Sequence, residues 1–539
     1  MPLLSVVVPT LDRPDTLRHA LATLAVQTER DCEFIIQNNG GNPAVAALVE
    51  GLDDHRFKHF STPGVVTMTE NWELALGQAT GDYVTFIGDD DGLMPDGCAV
   101  AAGLLAKRGI ALLSWAPYAY YWPGYYHPGY RNRLVAAVDF RFTGEKISSR
   151  GELERFYGFQ THYARLPMIY NSFVRRDVID AMRARAGRYF LGLSPDVTSG
   201  IVNAALSSDF IRLSRPLSIS GLSQHSTGHG LFFRDTDPLG AAPARRDFGA
   251  IAKDPRLPGL NALPLFLAND MLLVKDRLFP NEAAISLSFK GLAQALATGI
   301  NDRPELYDQT RRSILALAEA HDLDPAEIIL PSRAAARPSI STGVTRQGAR
   351  RVLFQLDGDA LGLRSIEDAA RVIAQFVPGA SAFDVANFPI VPPRPLLARE
   401  WLEFGHDGLG AAALLEGWSE AEEWGVWSVA KNCGLRLYLS QRPIQPVRVE
   451  LVSRAFLAER HTELTAWCRV GDTAPQALGF TTSNASGRRF FTIDPAAIAF
   501  DGSVTVAFEL SEPRSPADLG LNADVRPLGL GLEKLRLVG

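Results

Sequence analysis

Residues 81–95 read GDYVTFIGDDDGLMP, an apolar run that ends in three consecutive carboxylates. Residues 83–87 are mostly β-branched or aromatic, as in a buried strand, and Gly88 with the acidic triplet stops that strand. Adjacent carboxylates repel one another unless a cation or solvent screens them, and hard oxygen ligands suit Mg²⁺ or Mn²⁺ bridging a diphosphate. The stretch therefore predicts a metal and phosphate site in a surface crevice. An ordinary acidic turn is the alternative, because Asp-Gly at Asp91 and Gly92 is a common turn pair.

The N-terminal residues predict alternating strands and helices. Residues 4–8, LSVVV, form a short apolar strand, and a helix follows from Pro14 with leucines at helical spacing. Residues 32–37, CEFIIQ, predict a second strand, and residues 70–79 predict a helix that leads into the strand at 83–87. This alternation predicts a mostly parallel sheet with helices on both faces. Its ligand site is expected beyond the carboxyl ends of the strands.

In combination, these segments resemble the nucleotide-sugar half of the family 2 glycosyltransferases. The resemblance covers residues 3–230 and rests on SVVVPT, an Asn-Asn-Gly loop, TMTENWELALGQATGDYVTFIGDDD and the following LMP. It implies an α/β, Rossmann-like GT-A catalytic domain that transfers a sugar, with inversion, from a nucleotide diphosphate to an acceptor hydroxyl. It also implies Mn²⁺ or Mg²⁺ as cofactor. The nucleotide-sugar contacts that the resemblance implies are Pro9, Thr10, Asp12, Asn38, Asn71, Asp89 and Asp90.

Two positions depart from the family pattern. Family members commonly end the second strand with an Asp that reads the nucleotide base, whereas this chain has Gln37 followed by two asparagines. The family's Asp-x-Asp motif places its first Asp on Gly88 and its second on Asp90, although Asp89 and Asp91 have the same spacing. We therefore assign the metal to the triplet, with Asp90 or Asp91 as the direct ligand, and we expect its loop to be exposed.

Inverting transfer requires a carboxylate that accepts the proton of the acceptor hydroxyl. Asp196, in LGLSPDVTSGIVNAAL, precedes a helical run and resembles the family's acidic position downstream of the metal motif. A helix N-terminus lowers the pKa of an Asp and keeps it ionised, as a base requires. We predict Asp196 as the catalytic base, with a structural helix cap as the alternative.

Two histidines lie in the segment SGLSQHSTGHG, after a strand predicted at 211–219. Gly228 and Gly230 argue against a helix that would place both rings on one side. We predict a loop that closes over the diphosphate. His225 contacts the phosphate or the metal in this prediction, and His229 lies at the surface.

Residues 115–130, WAPYAYYWPGYYHPGY, contain eight aromatic side chains. Three prolines and two glycines interrupt regular structure, so the segment predicts a loop. Aromatic rings with hydroxyl rims suit a sugar, and Trp115, Tyr121 and Trp122 are the predicted acceptor contacts. The alternatives are a packed hydrophobic cluster and a patch that faces a partner or a membrane.

The length of 539 residues predicts about three structural units. The expected domains are residues 1–235 for the nucleotide sugar and acceptor, and 236–391 for a helical extension with a linker and one strand-helix unit. Residues 396–539 contain short alternating strands separated by turns, which predict an antiparallel β-sandwich.

This last segment resembles the carbohydrate-binding modules that are appended to bacterial glycosyltransferases. The resemblance rests on GWSEAEEWGVWS and SPADLGLNADVRPLGLGL. Trp424 and Trp427 are its candidate glycan contacts. Packing in the sandwich core is the alternative for these two rings.

Composition excludes several classes of protein. A hydrophobic content of 46%, a charged content of 21% and a net charge of −6 are those of a soluble globular protein without a nucleic-acid footprint. The four cysteines show neither close pairing nor metal spacing, which fits a reducing cytoplasm. We find no signal peptide and no apolar span of the ~20 residues that cross a membrane. We expect a cytoplasmic protein, with peripheral attachment at the inner face of the membrane as an open alternative.

These observations together predict a metal-dependent inverting glycosyltransferase in the synthesis of a bacterial surface polysaccharide or glycoconjugate. Its partners would be a nucleotide-sugar donor and a glycan, lipid-linked or protein acceptor. The alternative is a non-catalytic glycan-binding or assembly protein on a degenerate transferase fold, which Gly88 and the missing second-strand Asp make conceivable.

Overall fold

The computed structural model forms two compact units. The first comprises residues 1–344 and 353–390, and the second comprises residues 345–352 and 391–539. The residues that the structure describes are 2–139, 143–226, 253–260, 262–283, 285–333, 342–347, 351–377, 390–391, 400–405, 410, 413–415, 417–439, 443–471, 473–498 and 503–538. His229 and the predicted domain limit at residue 235 lie outside the described residues. The predicted domain boundaries stay a prediction.

The strands of the first unit are short and mostly buried. They are β1 Leu4–Thr10, β2 Cys32–Asn38, β3 Phe57–Ser61, β4 Tyr83–Phe86, β5 Gly92–Leu93, β6 Leu112–Trp115, β7 Tyr118–Tyr121, β8 Arg133–Asp139, β9 Gly144–Ser148, β10 Ser172–Arg175, β11 Asp209–Leu213 and β12 Ser218–Leu222. Three further strands lie where the two units divide, namely β13 Gly343–Gln347, β14 Arg351–Asp357 and β15 Ile390–Val391.

The helices of the first unit are α1 Pro14–Ala25, α2 Pro43–Glu50, α3 Met68–Gln78, α4 Gly97–Arg108, α5 Ser149–Tyr157, α6 Arg176–Ala186, α7 Pro195–Leu206, α8 Leu263–Leu278, α9 Phe289–Thr298, α10 Tyr307–Ala320 and α11 Ile366–Phe376. The predicted helical middle region is confirmed as α8 to α10, and the predicted strand-helix unit as β14 and α11. In the part of the chain that the structure describes, no helix is long and apolar enough to span a membrane.

The main sheet has nine strands in the order β15-β9-β11-β6-β10-β4-β1-β2-β3. Strand β1 pairs in parallel with β2 and β4, whereas β10 runs antiparallel to β4 and β6. Alternate side chains of β1 enter the two cores, since Val7 packs with α3 and α7 while Val6 and Val8 pack with α1. The predicted α/β, mostly parallel sheet with helices on both faces, which is the GT-A-like arrangement, is confirmed.

A second sheet brings a distant segment to the acidic triplet. Its order is β13-β14-β8-β7-β12-β5, and β5, which starts at Gly92 directly after the triplet, pairs antiparallel with β12. The single strand predicted at 211–219 is therefore wrong. The segment forms β11 in one sheet and β12 in the other, because Pro216 lies between them and cannot donate to a ladder.

The second unit is antiparallel, as predicted. Its strands are β16 Leu402–Glu403, β17 Val426–Trp427, β18 Asn432–Tyr438, β19 Val447–Ala455, β20 Glu463–Val470, β21 Gln476–Thr481, β22 Ser486–Ile493, β23 Ser503–Leu510 and β24 Leu530–Val538. One sheet has the order β16-β24-β19-β22, with β17 also on β24, and the other has the order β18-β23-β20-β21. Apolar side chains of both sheets form one core, as in a β-sandwich.

Candidate functional site

The parallel strands β1, β2 and β4 end at one edge of the main sheet, and polar residues follow each of them. Thr10 ends β1, Asn38 ends β2, and the triplet Asp89–Asp91 follows β4. The three carboxylates are only 3%, 5% and 2% exposed. The expected exposed loop is therefore wrong, because β12 and the residues after it cover the triplet.

Asp89 is held from the side of β1 and α1. Its Oδ2 accepts a hydrogen bond of 2.7 Å from the Thr10 hydroxyl, and its Oδ1 lies 3.2 Å from Nη1 of Arg13. Burial raises the pKa of Asp89, and the charge of Asp90 raises it further against the opposing effect of Arg13. Both oxygens of Asp89 thus have protein partners, which favours a structural and electrostatic role for this residue.

Asp90 is bound by the segment that follows β12. Its Oδ2 accepts hydrogen bonds from the hydroxyls of Ser223 (2.6 Å) and Ser226 (2.8 Å), and its backbone carbonyl accepts one from the indole N–H of Trp122 (3.1 Å). His225 lies between the two serines and donates its backbone N–H to Ser223 Oγ. The backbone of His225 is therefore bonded to a serine that binds Asp90, but the structure shows no contact between the His225 ring and Asp90. Its predicted phosphate or metal contact stays a prediction.

Asp91 organises the turn itself. Its Oδ2 accepts the backbone N–H of Gly88 at 2.7 Å, and its Oδ1 accepts that of Gly221 at 2.6 Å. Burial, followed by the negative charge of Asp90, raises the pKa of Asp91 to about 7, against the lowering effect of the Tyr170 hydroxyl and of these two amides. Asp91 therefore links β4 to β12.

Tyr170 explains why residue 88 is a glycine. A Cβ atom at Gly88 would lie 2.5 Å from the Tyr170 hydroxyl, and 3.0 Å from both Asp90 Oδ1 and Asp91 Oδ2. An Asp at this position would therefore require the Tyr170 hydroxyl to move. Since both distances are 3.0 Å, Asp90 Oδ1 and Asp91 Oδ2 converge on this position beside Gly88.

These oxygens fit a hard divalent cation. Mg²⁺ is commonly held by one or two carboxylates together with substrate phosphates, and Asp90 Oδ1 with Asp91 Oδ2 provides such a donor pair. Among the described residues, no group of three or more His, Cys, Asp or Glu side chains has the geometry of a complete metal site. A cation here would therefore need oxygen ligands from a bound substrate.

The close approach of β12 to the triplet gives a first prediction. A Cβ atom at Gly221 would lie 1.7 Å from the Asp90 carbonyl oxygen, so Gly221→Ala must displace the Asp90 turn. We expect the free energy of unfolding to fall by about 1–3 kcal/mol, as for other overpacked sites, in urea denaturation. Gly77→Ala is the matched control, because nothing lies within 4 Å of that Cβ position in α3. A Gly221 variant as stable as this control would contradict the close packing.

The loop after β2 uses its asparagines to hold its own shape. Asn38 Nδ2 donates to the Asn42 carbonyl (2.8 Å) and lies 3.3 Å from His59 Nε2, while Asn38 Oδ1 accepts the Asn42 N–H (3.1 Å). Asn42 in turn donates to Asp12, which has a positive φ of 56° and is exposed. The side chain of Asn38 thus forms its hydrogen bonds within the protein. Its predicted nucleotide contact stays a prediction.

Two buried acceptors near this edge lack partners in the described part of the chain. They are Gln37 Oε1, in register with the predicted donor-contact residue Pro9, and Asn71 Oδ1 at the start of α3. Gln37 is 2% exposed and Asn71 is 4% exposed. A buried acceptor without a donor costs about 1–3 kcal/mol, so both positions suit hydrogen-bond donors of a ligand.

Asp196 lies in the first turn of α7. It is half-buried, and burial raises its pKa against the lowering effect of the Val197 and Asp196 amides. The prediction that the helix N-terminus lowers this pKa is wrong, because desolvation outweighs the backbone dipoles. Burial raises the pKa of Tyr170 as well, and the charges of Asp91, Asp90 and Asp196 add to that effect. Tyr170 therefore lies within electrostatic range of both parts of the site.

Asp270, in α8, fixes the turn that leads into α7. Its carboxylate accepts the backbone N–H of Leu193 (3.0 Å) and of Ser194 (2.8 Å), and the residue is fully buried. Gly192 adopts a φ of +66°, and a Cβ atom there would collide with Asp270. The helical middle region thus contributes a residue that positions the turn before Asp196.

The role of Asp270 gives a second prediction. Asp270→Asn keeps the size of the side chain but turns an N–H group toward two backbone donors, so the free energy of unfolding should fall by about 1–3 kcal/mol. Asp276→Asn, on the exposed side of the same helix, should change it by less than about 1 kcal/mol. Equal urea denaturation curves for the two variants would contradict this role.

The same variant has a defined pH dependence. Burial raises the pKa of Asp270 from 3.8 to about 6, so the folded state binds more protons than the unfolded state between these values. Wild-type stability due to this group therefore decreases as pH rises from 4 to 6. The Asn variant lacks this loss. The difference in unfolding free energy between wild type and this variant should therefore be smaller at pH 7.5 than at pH 5, by on the order of 1 kcal/mol.

The loop predicted over residues 115–130 is only partly present, because residues 118–121 form β7 whereas residues 122–127 are turns and irregular chain. Trp115 ends β6, is fully buried and donates its indole N–H to Ser218 Oγ (2.7 Å), so its predicted acceptor contact is wrong. Trp122 is 8% exposed and contacts the Asp90 backbone, which favours a supporting role. Tyr121, in β7, is half-buried with its ring 5.0 Å from that of Tyr125. Its acceptor contact stays a prediction.

Trp424 and Trp427 belong to the second unit and form a half-buried, T-shaped pair with ring centroids 4.9 Å apart. Trp427 lies on β17, and Trp424 stacks against Arg454 at 3.8 Å. Neither ring is enclosed in the sandwich core. Their glycan contact stays a prediction.

Sequence reasoning missed five residues of the site, namely Arg13, Tyr170, Ser223, Ser226 and Asp270. Arg13 lies in the loop after β1, and the serines flank His225, so proximity to predicted residues was an available signal. Tyr170 and Asp270 are distant in the sequence from the residues they contact, and no local motif marks them.

The N-terminal part of the chain matches a known family. Residues 5–165 match the family described as Glycosyl transferase family 2. Over 97 residues, the chain is 35% identical to GalNAc(5)-diNAcBac-PP-undecaprenol beta-1,3-glucosyltransferase of Campylobacter jejuni, which corresponds to 17% of this chain and 31% of that protein. The chain thus spans about a third of the length of this curated relative.

Two solved structures are similar to this chain at low identity. TarS residues 1–349 from S. aureus, in complex with UDP-GlcNAc, gives a TM-score of 0.38 at 14% identity, covering 59% of this chain and 81% of that chain. The mannosyltransferase PcManGT from Pyrobaculum calidifontis, in complex with GDP-Man and Mn²⁺, gives a TM-score of 0.32 at 13% identity, covering 60% and 88%. Residues 5–165 thus match the family 2 glycosyltransferases, and the observed sheet has the GT-A-like α/β arrangement.

Proposed function

We propose that this protein is an inverting glycosyltransferase that moves a sugar from a nucleotide diphosphate donor to an acceptor hydroxyl. One observation carries the proposal. In a domain that matches family 2 glycosyltransferases, Asp90 Oδ1 and Asp91 Oδ2 converge beside Gly88, and Tyr170 lies within electrostatic range of both these carboxylates and Asp196. The two ends of the site thus supply a place for the diphosphate and a carboxylate for the acceptor.

The proposed reaction is a single displacement. The acceptor oxygen attacks the anomeric carbon of the donor sugar, the bond from that carbon to the diphosphate oxygen breaks, and Asp196 takes the proton of the acceptor hydroxyl. The electron pair of the broken bond leaves with the nucleotide diphosphate. When bound through Asp90 and Asp91, Mn²⁺ or Mg²⁺ would neutralise that leaving group.

The protein's own groups would hold the donor in place. Thr10 and Arg13 keep Asp89 fixed behind the turn, and the two serines fix Asp90 Oδ2 so that Oδ1 is presented. Gln37 and Asn71 offer buried acceptors to the N–H or O–H groups of a nucleotide. His225, between the serines, is placed to contact a phosphate or the cation. These arrangements bind and orient, and they leave proton transfer to Asp196.

The relatives suggest a class of acceptor. The Campylobacter jejuni relative carries an undecaprenol-linked glycan in its name, and we propose a glycan, lipid-linked or protein acceptor in the synthesis of a bacterial surface polysaccharide or glycoconjugate. We further propose a cytoplasmic location, with peripheral attachment at the inner face of the membrane. In this proposal, the second unit is a carbohydrate-binding module that holds the acceptor chain.

Donor hydrolysis tests the proposal directly. The full chain should release nucleotide diphosphate from at least one nucleotide sugar in a panel that varies base and sugar, and the release should depend on Mn²⁺ or Mg²⁺. The panel also identifies the base, which Gln37 and Asn38 leave open. No hydrolysis of any donor, with or without added acceptor glycans, would contradict the proposal.

A second candidate function is a non-catalytic glycan-binding or assembly protein. Gly88 favours it, because the family's first Asp at this position would require the Tyr170 hydroxyl to move. Isothermal titration of nucleoside diphosphates distinguishes the two functions. An enzyme should show nucleotide affinity that increases with Mn²⁺, whereas a binding protein should show none that depends on the metal.

A further inference from the structure

The second unit has a side of its five-stranded sheet that faces away from the core. Strand β19 alternates, since Val449 and Leu451 belong to the core while Arg448, Glu450 and Arg454 lie on the opposite side. The register places further cations on that same side, because Glu450 pairs with Arg536 of β24 and Val452 pairs with Lys534 of β24 and Arg488 of β22. We call this surface the outer face.

Three arginines of the outer face lie against aromatic rings. The guanidinium carbon of Arg448 is 3.8 Å from the centre of the Phe490 ring, that of Arg454 is 3.8 Å from the Trp424 ring, and that of Arg536 is 4.3 Å from the Trp401 ring. Stacking restricts the rotamers of a long side chain before any ligand arrives. Arg454 and Arg536 also pair with Glu533 and Glu450, whereas Arg448 is stacked without a carboxylate partner among the described residues. The arginines are therefore pre-organised for a planar anionic group.

The charge of the outer face is opposite to that of the whole chain. On its described strands it holds five cations, Arg448, Arg454, Arg488, Lys534 and Arg536, and three carboxylates, Glu403, Glu450 and Glu533. Glu422 lies beside it and accepts the indole N–H of Trp424. Glu450 is 2% exposed beneath Arg488 and Arg536, so it offers little negative charge to a ligand. Arg448 has no carboxylate partner among the described residues, whereas the chain as a whole has a net charge of −6.

The length of the outer face favours a polymer over a small anion. Arg448 and Arg454 are six residues apart on one strand, which corresponds to roughly 20 Å at about 3.3 Å per residue. The three stacked arginines lie along β19 and β24 rather than around one pocket. Such a row of sites suits a ligand in which charged groups repeat.

We infer that the outer face binds an acidic glycan, a polysaccharide that carries carboxylate or phosphate groups. The guanidinium groups would donate paired hydrogen bonds to the anions, and the rims of the aromatic rings would contact the sugars. This inference rests on the proposed function, in which the second unit holds the acceptor chain, and it specifies that chain as anionic. Rings that carry a stacked guanidinium suit an acidic sugar better than a neutral one.

Titration of the full chain with defined polymers tests this inference. Polygalacturonate supplies carboxylates, phosphomannan supplies phosphates, and dextran is the uncharged control. We expect the protein to bind at least one acidic polymer, more weakly at high salt, and to show no affinity for dextran. Binding of dextran with equal affinity, or of neither acidic polymer, would overturn the inference.

Two matched variants assign the binding to the outer face. Arg448→Gln combined with Phe490→Ala changes two exposed residues and should weaken acidic-polymer binding at least tenfold. Arg469→Gln combined with Trp467→Ala changes an exposed arginine and aromatic on β20, in the other sheet, and should leave it unchanged. Similar melting temperatures would show that both variants fold. An equal loss in the two variants would overturn the assignment.

Other polyanions and donor hydrolysis complete the test. Duplex DNA or vesicles of anionic phospholipid that bind as tightly as the acidic glycan, and with the same sensitivity to the Arg448 and Phe490 changes, would overturn the glycan as ligand. Polymer binding is measured without a nucleotide sugar, and donor hydrolysis is measured without polymer. Failure of hydrolysis therefore counts against the proposed function, and failure of polymer binding counts against this inference.

Discussion

Replacing Asp196 by Asn is expected to lower the rate of sugar transfer by roughly 10²–10⁴-fold, the usual effect of losing a general base. The amide keeps the size of the side chain but cannot accept the proton of the acceptor hydroxyl. In this proposal Asp196 contacts the acceptor hydroxyl and does not hold the diphosphate, so the affinity for the donor should be unchanged. Initial rates of transfer and calorimetric donor titration measure the two quantities separately.

Two further variants distinguish catalysis from helix capping. Asp196→Ala should reduce transfer as much as the Asn change, and a loss of about 1 kcal/mol of stability would identify a cap as well. Asp177→Asn is the matched control, because Asp177 occupies the same position in the first turn of α6 and is exposed. Near wild-type transfer by the Asn variant, with a lower melting temperature for the Ala variant only, would make Asp196 a structural residue.

The raised pKa of Asp196 is opposite to the lowered pKa that its position in the sequence predicts. The sequence places an Asp at a helix N-terminus, and that position alone predicts a lowered pKa. Burial, which depends on how α7 packs against distant residues, acts in the opposite direction and dominates. A raised pKa strengthens the carboxylate as a proton acceptor, provided that it stays ionised at the working pH.

The strands of the main sheet could be predicted because their patterns are local. Continuous apolar runs at 4–8, 32–37 and 83–87 identify buried parallel strands, and the structure extends the first two by one or two residues. Because the carboxyl ends of parallel strands lie at the same edge of a sheet, the polar residues directly after those runs lie together at that edge. The position of the acidic triplet and of Thr10 at one edge of the sheet was therefore predictable from spacing and topology, whereas their roles came from the family resemblance.

The covering of the triplet could not be predicted in this way. It depends on the pairing of β5 with β12, two segments more than a hundred residues apart in the sequence. The aromatic strand β7 was hidden because its prolines and glycines lie just outside it, at Pro117 and Pro123 for example. Tertiary packing thus converted a predicted exposed loop into a buried, hydrogen-bonded turn.

Replacing Asp90 by Asn is expected to remove most of the Mn²⁺-dependent affinity for a nucleoside diphosphate, by at least about tenfold or 1.4 kcal/mol. Asp90 Oδ2 accepts only from serine hydroxyls, and a hydroxyl can also accept a hydrogen bond from an amide N–H. The Asn variant can therefore keep its contacts and fold normally. Its loss should appear in titrations with Mn²⁺ and disappear when a chelator removes the metal from both proteins.

Asp91→Asn should behave differently, and the contrast is informative. Both Asp91 oxygens accept backbone N–H groups, so an Asn must turn its own N–H group toward Gly88 or Gly221. We expect a loss of about 1–3 kcal/mol in unfolding free energy in addition to weaker metal-dependent binding. Asp82→Asn, at the exposed start of the strand that carries the triplet, is the control and should change neither quantity.

If Asp90→Asn binds nucleotide with wild-type affinity in Mn²⁺ while Asp91→Asn only unfolds earlier, the triplet is a structural turn.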